Sequence, residues 1–148
     1  MERVYIRKLH PHDITHEVSV TQGIVRNFFD SQIYRIPFFR EDGIVRYFVD
    51  INNATDPRFG RDFKRMYMSE KVDAGDFLLC LKRSEGFYLY VLKKEDANHS
   101  WISSVFDSRR HLIVCIPNDI LDLRRDNFFS VLKVGIANPI SIHKDGMF

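Results

Sequence analysis

Alternating apolar and polar positions predict the first strand of the chain. In residues 3–9 the apolar Val4 and Ile6 alternate with charged or polar neighbours, and a period of two is typical of a half-buried strand. Residues 10–16 follow as a polar loop, and residues 17–20 predict a short second strand.

A short helix is predicted over residues 24–29. Thr21 stands where an N-cap residue is expected, and the apolar residues that follow it have the spacing of one helical face. The helix is expected to end near residue 30.

Two antiparallel hairpins are predicted further along the chain. They consist of residues 33–40 with 43–51 and of residues 77–81 with 87–92. In the first hairpin the strands are separated by a turn that contains Asp42-Gly43, a strong hairpin signal. Residues 52–61, between the hairpins, are rich in Asn, Asp, Pro and Gly and predict a loop.

The remaining pattern predicts a strand at 112–116, a helical turn or two at 119–125, and a last strand at 128–134. Many short strands with one helix favour a closed or nearly closed β-barrel. Because no repeat or flexible linker interrupts the chain, we expect residues 1–148 to form a single domain, with 97–148 completing the barrel.

Composition narrows the class of protein. Of 148 residues, 45% are hydrophobic and 28% are charged, which is typical of a globular domain. No apolar run approaches the ~18–20 residues of a membrane span, and the N-terminal residues lack the apolar core of a signal peptide. Cys80 and Cys115 lie in apolar runs, as buried reduced thiols do. We therefore expect a cytoplasmic protein without a membrane partner.

The polar loop at residues 10–16 is the first candidate site, and it concentrates five polar side chains: His10, His12, Asp13, Thr15 and His16. Imidazole and carboxylate are ligands for zinc or iron, so one interpretation is a metal site. Pro11 and the lack of a second ligand cluster weigh against it. There are two other interpretations: a solvated loop, and a loop that recognises base edges and phosphates.

The second candidate site is a basic segment, residues 58–65. Its cations are Arg58, Arg61, Lys64 and Arg65, and its one acid is Asp62. Four cations against one acid give a local charge of +3, more than the net charge of +2 of the whole chain. Arg and Lys bind guanine edges or phosphates. The alternative is a solvated basic hairpin.

Signs of an enzyme are weak. A metal-dependent nuclease core has two carboxylates beside a lysine, and Asp56, Asp62 and Lys64 are the same types of group. In such a core the carboxylates usually lie on separate, paired strands, and these two are too close in sequence for that arrangement. Neither a catalytic triad nor a phosphate-binding glycine loop is present. We expect this chain to be a non-catalytic domain that needs no cofactor.

Four stretches, taken in order, resemble the DNA-binding pseudobarrel superfamily. That group includes the plant B-three domain and the effector domains of EcoRII-type and BfiI-type restriction endonucleases. The stretches are residues 5–15, 18–29, 58–67 and 74–91. The restriction-enzyme branch is closer, because Asp13-x-Thr15 and the basic residues after Gly60 are similar to its arms. The resemblance implies a mainly β, seven-stranded-type open pseudobarrel with one or two short flanking helices.

The resemblance also implies a wrench-like protein whose two arms enter the major groove. The N-terminal arm would consist of His10, His12, Asp13, Thr15 and His16. The C-terminal arm would consist of Arg58, Arg61, Asp62, Lys64 and Arg65. Contacts to phosphates are expected from Arg7, Lys8 and Lys71, because such contacts orient a protein without specifying sequence.

The function expected from this resemblance is sequence-specific binding of double-stranded DNA. The chain would be the target-recognition or effector domain of a bacterial type II restriction endonuclease, monomeric in isolation, with the nuclease domain elsewhere in the full-length enzyme. One alternative is a small metal-dependent hydrolase built on His10, His12, Asp13 and His16. Another is a protein-interaction barrel with no role in nucleic-acid binding.

Overall fold

The computed structural model describes residues 1–16, 18–29, 35–41, 43, 46–52, 58–59, 63–65, 71–106 and 111–144. Its strands are β1 (Glu2–Lys8), β2 (Arg35–Arg40), β3 (Arg46–Asn52), β4 (Arg58–Phe59), β5 (Phe77–Arg83), β6 (Gly86–Leu92), β7 (His111–Ile116) and β8 (Ser141–Lys144). Its α-helices are α1 (Pro11–Thr15), α2 (Gln22–Ile24), α3 (His99–Phe106) and α4 (Arg125–Ala137), and a π-helical turn at Val25–Phe29 continues α2.

The strands form one open sheet in the order β4-β3-β2-β6-β5-β1-β7-β8. Neighbouring strands are antiparallel except β2 and β6, which pair in parallel. This arrangement confirms the predicted mainly β open pseudobarrel, with eight strands in the described part of the chain where seven were expected. No helix among the described residues is long and apolar enough to cross a membrane.

Both faces of the central strands are buried. Leu78 and Cys80 belong to an apolar cluster on the face of the sheet that α2 covers, here called the concave side. The alternate residues Phe77 and Leu79 belong to a second cluster on the other face, here called the convex side. Side chains along a strand alternate between its two faces, so a strand covered on both faces has a continuous apolar sequence. This explains why β5, β6 and β7 are apolar almost throughout.

The concave cluster is closed by the predicted helix, which the structure confirms. Thr21 is its N-cap, with its hydroxyl accepting a hydrogen bond from the Ile24 amide at 3.1 Å. Phe28 and Phe29 are buried in the cluster and contact Tyr5 at ring-centroid distances of 5.8 and 5.6 Å. The helix therefore fills the interior of the open barrel.

The start of β6, at Gly86, lies very close to the backbone of β2. Gly86 has a φ of +147°, and a Cβ there would collide with the carbonyl oxygen of Pro37 on β2. Glycine is therefore required at this position both by the left-handed backbone and by the close approach of two strands.

Several predicted elements differ from the structure. The strand predicted at 128–134 is wrong, because those residues lie within α4. The helical turn predicted at 119–125 is also wrong, since that stretch is irregular until α4 begins at Arg125. The predicted loop at 10–16 contains α1, and the predicted loop at 52–61 contains β4. Of the strand predicted at 17–20, the described residues 18–20 form only one bridge, at Ser19.

The C-terminal third contributes β7 and two helices. β7 pairs with β1 over six residue pairs, and α3 and α4 supply Phe106, Phe128 and Leu132 to the cluster on the convex side. Residues from this third thus cover the face of the sheet that lies opposite the α2 side.

Candidate nucleic-acid interface

The N-terminal arm is a one-turn helix whose start is fixed by local hydrogen bonds. His10 is the N-cap of α1, and its backbone N–H donates to Asp13 Oδ2 at 2.8 Å. The Asp13 amide donates to the His10 carbonyl at 2.9 Å. The first bond is the half of a capping box in which the N3 side chain accepts the N–H of the N-cap residue, and the second is a backbone bond that closes the first turn.

The exposed side of α1 presents three of the predicted contacts. His12, Thr15 and His16 are all exposed. The His12 and His16 rings stack with centroids 4.2 Å apart, and the Thr15 hydroxyl lies 2.7 Å from His16 Nδ1. Between them Ile14 is half-buried against the concave cluster. The helix is therefore anchored by one apolar residue and turns its polar face outward.

Asp13 and Arg7 occupy a different position from the one the sequence predicts. Arg7 Nη2 donates to Asp13 Oδ1 at 2.8 Å, and the two side chains are 1% and 0% exposed. A phosphate contact from Arg7 or a base contact from Asp13 requires an accessible side chain. Both residues are instead enclosed, because β1 directs Arg7 toward the same covered face as Tyr5 and α1 closes over it.

Arg7 also connects the N-terminal arm to the C-terminal arm. Its Nε donates to the Ser19 carbonyl at 3.3 Å, and its Nη1 donates to the Lys8 carbonyl. Ser19 forms an antiparallel bridge with Arg58 on β4, next to a hydrogen bond of 3.0 Å from the Phe59 amide to the Val18 carbonyl. Arg7 therefore links α1, through Asp13, to the start of the basic segment, through Ser19 and its bridge to Arg58.

Two stacked aromatic rings anchor the basic segment. Phe59 and Phe63 are each 1% exposed, and their ring centroids lie 4.1 Å apart in the concave cluster. Between and beside these anchors Arg58 and Lys64 are half-buried and Arg65 is exposed. The segment thus alternates buried rings with accessible cations.

Four predicted residues remain to be placed. Arg61 and Asp62 lie outside the described residues. Lys8 is half-buried at the end of β1. Lys71 is exposed in a left-handed conformation with a φ of +55°, and its carbonyl accepts a hydrogen bond from Lys93 at 2.9 Å.

The metal-site interpretation finds no cluster in the described part of the chain. Nowhere among those residues do three His, Cys, Asp or Glu side chains come together as a metal site requires. Asp13, the carboxylate of the proposed ligand set, is bound to Arg7. Cys80 and Cys115 are buried thiols, and burial raises the pKa of Cys80 far above that of an ordinary thiol.

Sequence reasoning missed the residues that hold the arms together. Ser19 contributes only its backbone, so no side-chain pattern marks it. Ile14 and Phe63 are single apolar residues in polar surroundings, and such positions are a usable signal of an anchor to the core. Asp13 lies three residues after His10, but histidine is not among the favoured N-cap residues, so the sequence does not mark the start of α1.

No family model matches this chain, and no curated protein matches it. Two solved structures share its architecture. The N-terminal domain of Helicobacter pylori LlaJI.R1 superposes with a TM-score of 0.64 and 22% identity, covering 76% of this chain and 97% of that domain. The hypothetical Arabidopsis thaliana protein At1g16640.1 has a TM-score of 0.51 and 10% identity, covering 64% of this chain and 94% of that protein. The chain therefore has the open pseudobarrel fold that these two structures share.

Proposed function

We propose that this chain binds double-stranded DNA sequence-specifically, with α1 and the basic segment 58–65 as its two contact elements. The observation that carries the proposal is the link from α1 through Arg7 and Ser19 to β4. This link holds two separate polar elements on the same apolar cluster.

The chemistry of the accessible side chains suits a duplex. Arg65 offers a guanidinium fork, which pairs with the O6 and N7 atoms of guanine. His12, Thr15 and His16 offer hydrogen-bonding groups to base edges or phosphates. Arg61 and Asp62 stay predicted contacts, as do the phosphate contacts of Lys8 and Lys71. The fold shared with LlaJI.R1 and At1g16640.1 agrees with the pseudobarrel class from which the two-arm arrangement was inferred.

We further propose that the chain acts as the target-recognition domain of a bacterial restriction endonuclease. In this role it is a cytoplasmic monomer that positions a nuclease lying outside these 148 residues and cleaves nothing itself. The expected result of incubating the purified chain with the duplex it selects and Mg²⁺ is therefore binding without strand cleavage.

The proposal is tested by selecting bound duplexes from a randomised oligonucleotide pool. The selected duplex should bind at least about 10³-fold more tightly than a shuffled duplex of the same composition. Fluorescence anisotropy at several salt concentrations measures both affinities. With three or four cations at phosphates, log K should fall with log salt with a slope of about −3.

Three outcomes would contradict the proposal. A pool that shows no enrichment, or a recovered duplex that binds no more tightly than its shuffled form, would leave only non-specific binding. An absence of salt-sensitive binding to any duplex would favour the protein-interaction alternative. Stoichiometric zinc or iron in the purified chain would instead favour the metal-dependent hydrolase.

A further inference from the structure

Arg7 is a cation with almost no access to solvent. Its side chain is 1% exposed and lies on the central strand β1, between β5 and β7. Enclosing a charge is costly unless a partner charge and hydrogen bonds compensate it. In Arg7 the carboxylate of Asp13 and two backbone carbonyls, of Lys8 and Ser19, supply that compensation.

These partners belong to different parts of the candidate interface. Asp13 lies in α1, and its second oxygen accepts the N–H of His10, at the start of that helix. Ser19 lies in the segment that bridges to Arg58 on β4. A single guanidinium therefore binds α1 through Asp13 and, through the Ser19 carbonyl, the segment that bridges to β4.

We propose that the Arg7–Asp13 pair is a positioning device that sets the two arms relative to each other, and that DNA sequence discrimination depends on it although neither residue touches DNA. The inference rests on the proposed function. Two arms read one site well only if their separation is fixed, because a displaced side chain loses the directional hydrogen bonds that distinguish one base edge from another.

The physical properties of Arg explain the choice of residue. The planar guanidinium presents donors in several fixed directions, which lets one side chain bind a carboxylate and two carbonyls at once. An ammonium is a point charge on a flexible stem and does not impose such an arrangement. An apolar pair of similar volume would preserve packing, and is often no less stable than a buried ion pair, but it would not orient α1.

The test uses the full chain and the double variant Arg7→Met/Asp13→Leu. Affinities for the duplex selected by the wild type and for a shuffled duplex are measured across a salt series. We expect the ratio of the two affinities to fall at least tenfold, while affinity for the shuffled duplex and its salt slope stay unchanged. The variant lacks an orienting pair but keeps every accessible cation.

A matched control is the ion pair at the opposite end of β1. Glu2 and Arg83 lie 3.0 Å apart, with side chains 8% and 25% exposed. The variant Glu2→Gln/Arg83→Met removes a less buried ion pair, whose described partners, the backbone of Ile120 among them, belong to neither arm. It should keep the wild-type ratio of selected to shuffled affinity.

The possible results are distinct. A double variant that keeps the ratio within twofold overturns the inference. An equal loss for both duplexes with a shallower salt slope also overturns it and identifies Arg7 as a phosphate contact. If the wild type itself selects no sequence, the proposed function fails, and the positioning role fails with it. Should the double variant not fold, Arg7→Lys takes its place: we expect the same loss of ratio, and retention of the ratio overturns the inference.

Discussion

At Gly135, α4 lies close to β7 of the sheet. A Cβ at this position would lie 2.7 Å from Cβ of Ile116 on β7, and 2.9 and 3.0 Å from its Cγ2 and Cδ1. Ordinary carbon contacts are about 3.5–4.0 Å, so α4 would have to withdraw by roughly 1 Å to admit one methyl group. The substitution Gly135→Ala therefore tests how firmly the C-terminal helix is packed.

Two effects of opposite sign determine the result. Replacing a glycine by alanine inside a helix favours the helix by about 1 kcal/mol, whereas overpacking a dense contact costs about 1–3 kcal/mol. The nearest atom is the Cβ of Ile116, which no rotation of the side chain moves, so the cost should lie in the upper part of that range. We expect the free energy of unfolding to fall by about 1–2 kcal/mol and Tm by about 2–8 °C.

Urea denaturation followed by circular dichroism and by Trp101 fluorescence measures this change. Ser130→Ala, at an exposed position of the same helix, is the control and should change stability by less than about 0.5 kcal/mol. Adding Ile116→Ala to Gly135→Ala removes two of the three close contacts and should show favourable coupling. A Gly135→Ala variant that is more stable than the wild type would refute the packing argument. Because Trp101 lies in α3, coincident transitions from the two probes would also support the proposal that residues 1–148 form one domain.

Three further predictions concern the surface. Arg65→Ala should cost roughly 1–3 kcal/mol on the selected duplex and relax preference at one base pair. Arg124→Ala, which replaces an exposed arginine at the start of α4, is the control and should leave binding unchanged. If Arg65→Ala weakened the selected and shuffled duplexes equally, Arg65 would not be a base contact. Lys71→Ala should weaken selected and shuffled duplexes about equally and reduce the salt slope by about 1; a loss confined to the selected duplex would contradict a phosphate contact. Burial alone raises the pKa of Asp96, but hydrogen bonds from Arg125 and a neighbouring backbone N–H, with the charge of Arg125, outweigh it and leave the pKa below its ordinary value. The stability that Asp96 contributes is therefore present above the ordinary carboxyl pKa, about pH 4, and is lost as pH falls through the lower folded value; Asp96→Asn should remove that loss, and unchanged acid sensitivity in urea titrations would contradict it.

The strands could be predicted where the residue pattern favoured a strand and no helical spacing was present in the same residues. β1 and the hairpins have alternation or apolar runs bounded by turn residues, and the structure confirms them as strands. The expectation that β1 is half-buried is wrong, because clusters cover both of its faces. The run at 128–134 was ambiguous, because Phe and Val favour strands while Phe128, Phe129 and Leu132 have the spacing of a helix face. Packing against the convex side of the sheet decided in favour of the helix, and that choice is made by tertiary contacts that the sequence does not display.

The candidate site shows the same limit. Its polar residues were visible in the sequence as two clusters, yet the sequence could not distinguish an exposed arginine from an enclosed one. In an alternating strand, a charged residue is expected on the solvent side. Arg7 is enclosed because α1 turns back and brings Asp13 over it, a long-range consequence of the chain path. The structure was therefore needed to tell which candidate residues are exposed and which, like Arg7 and Asp13, are buried.

Formal charge is distributed unevenly along this nearly neutral chain, whose net charge is +2. Two acids outside the arms are paired with cations: Glu2 lies 3.0 Å from Arg83, and Asp96 lies 2.8 Å from Arg125. Such pairs have almost no field beyond about one Debye length, roughly 10 Å at 0.1 M salt. The segment 58–65 has four cations for one acid, a formal charge of +3. If the proposed function is correct, this segment is the part of the chain expected to attract a duplex, although the net charge of the whole chain is only +2.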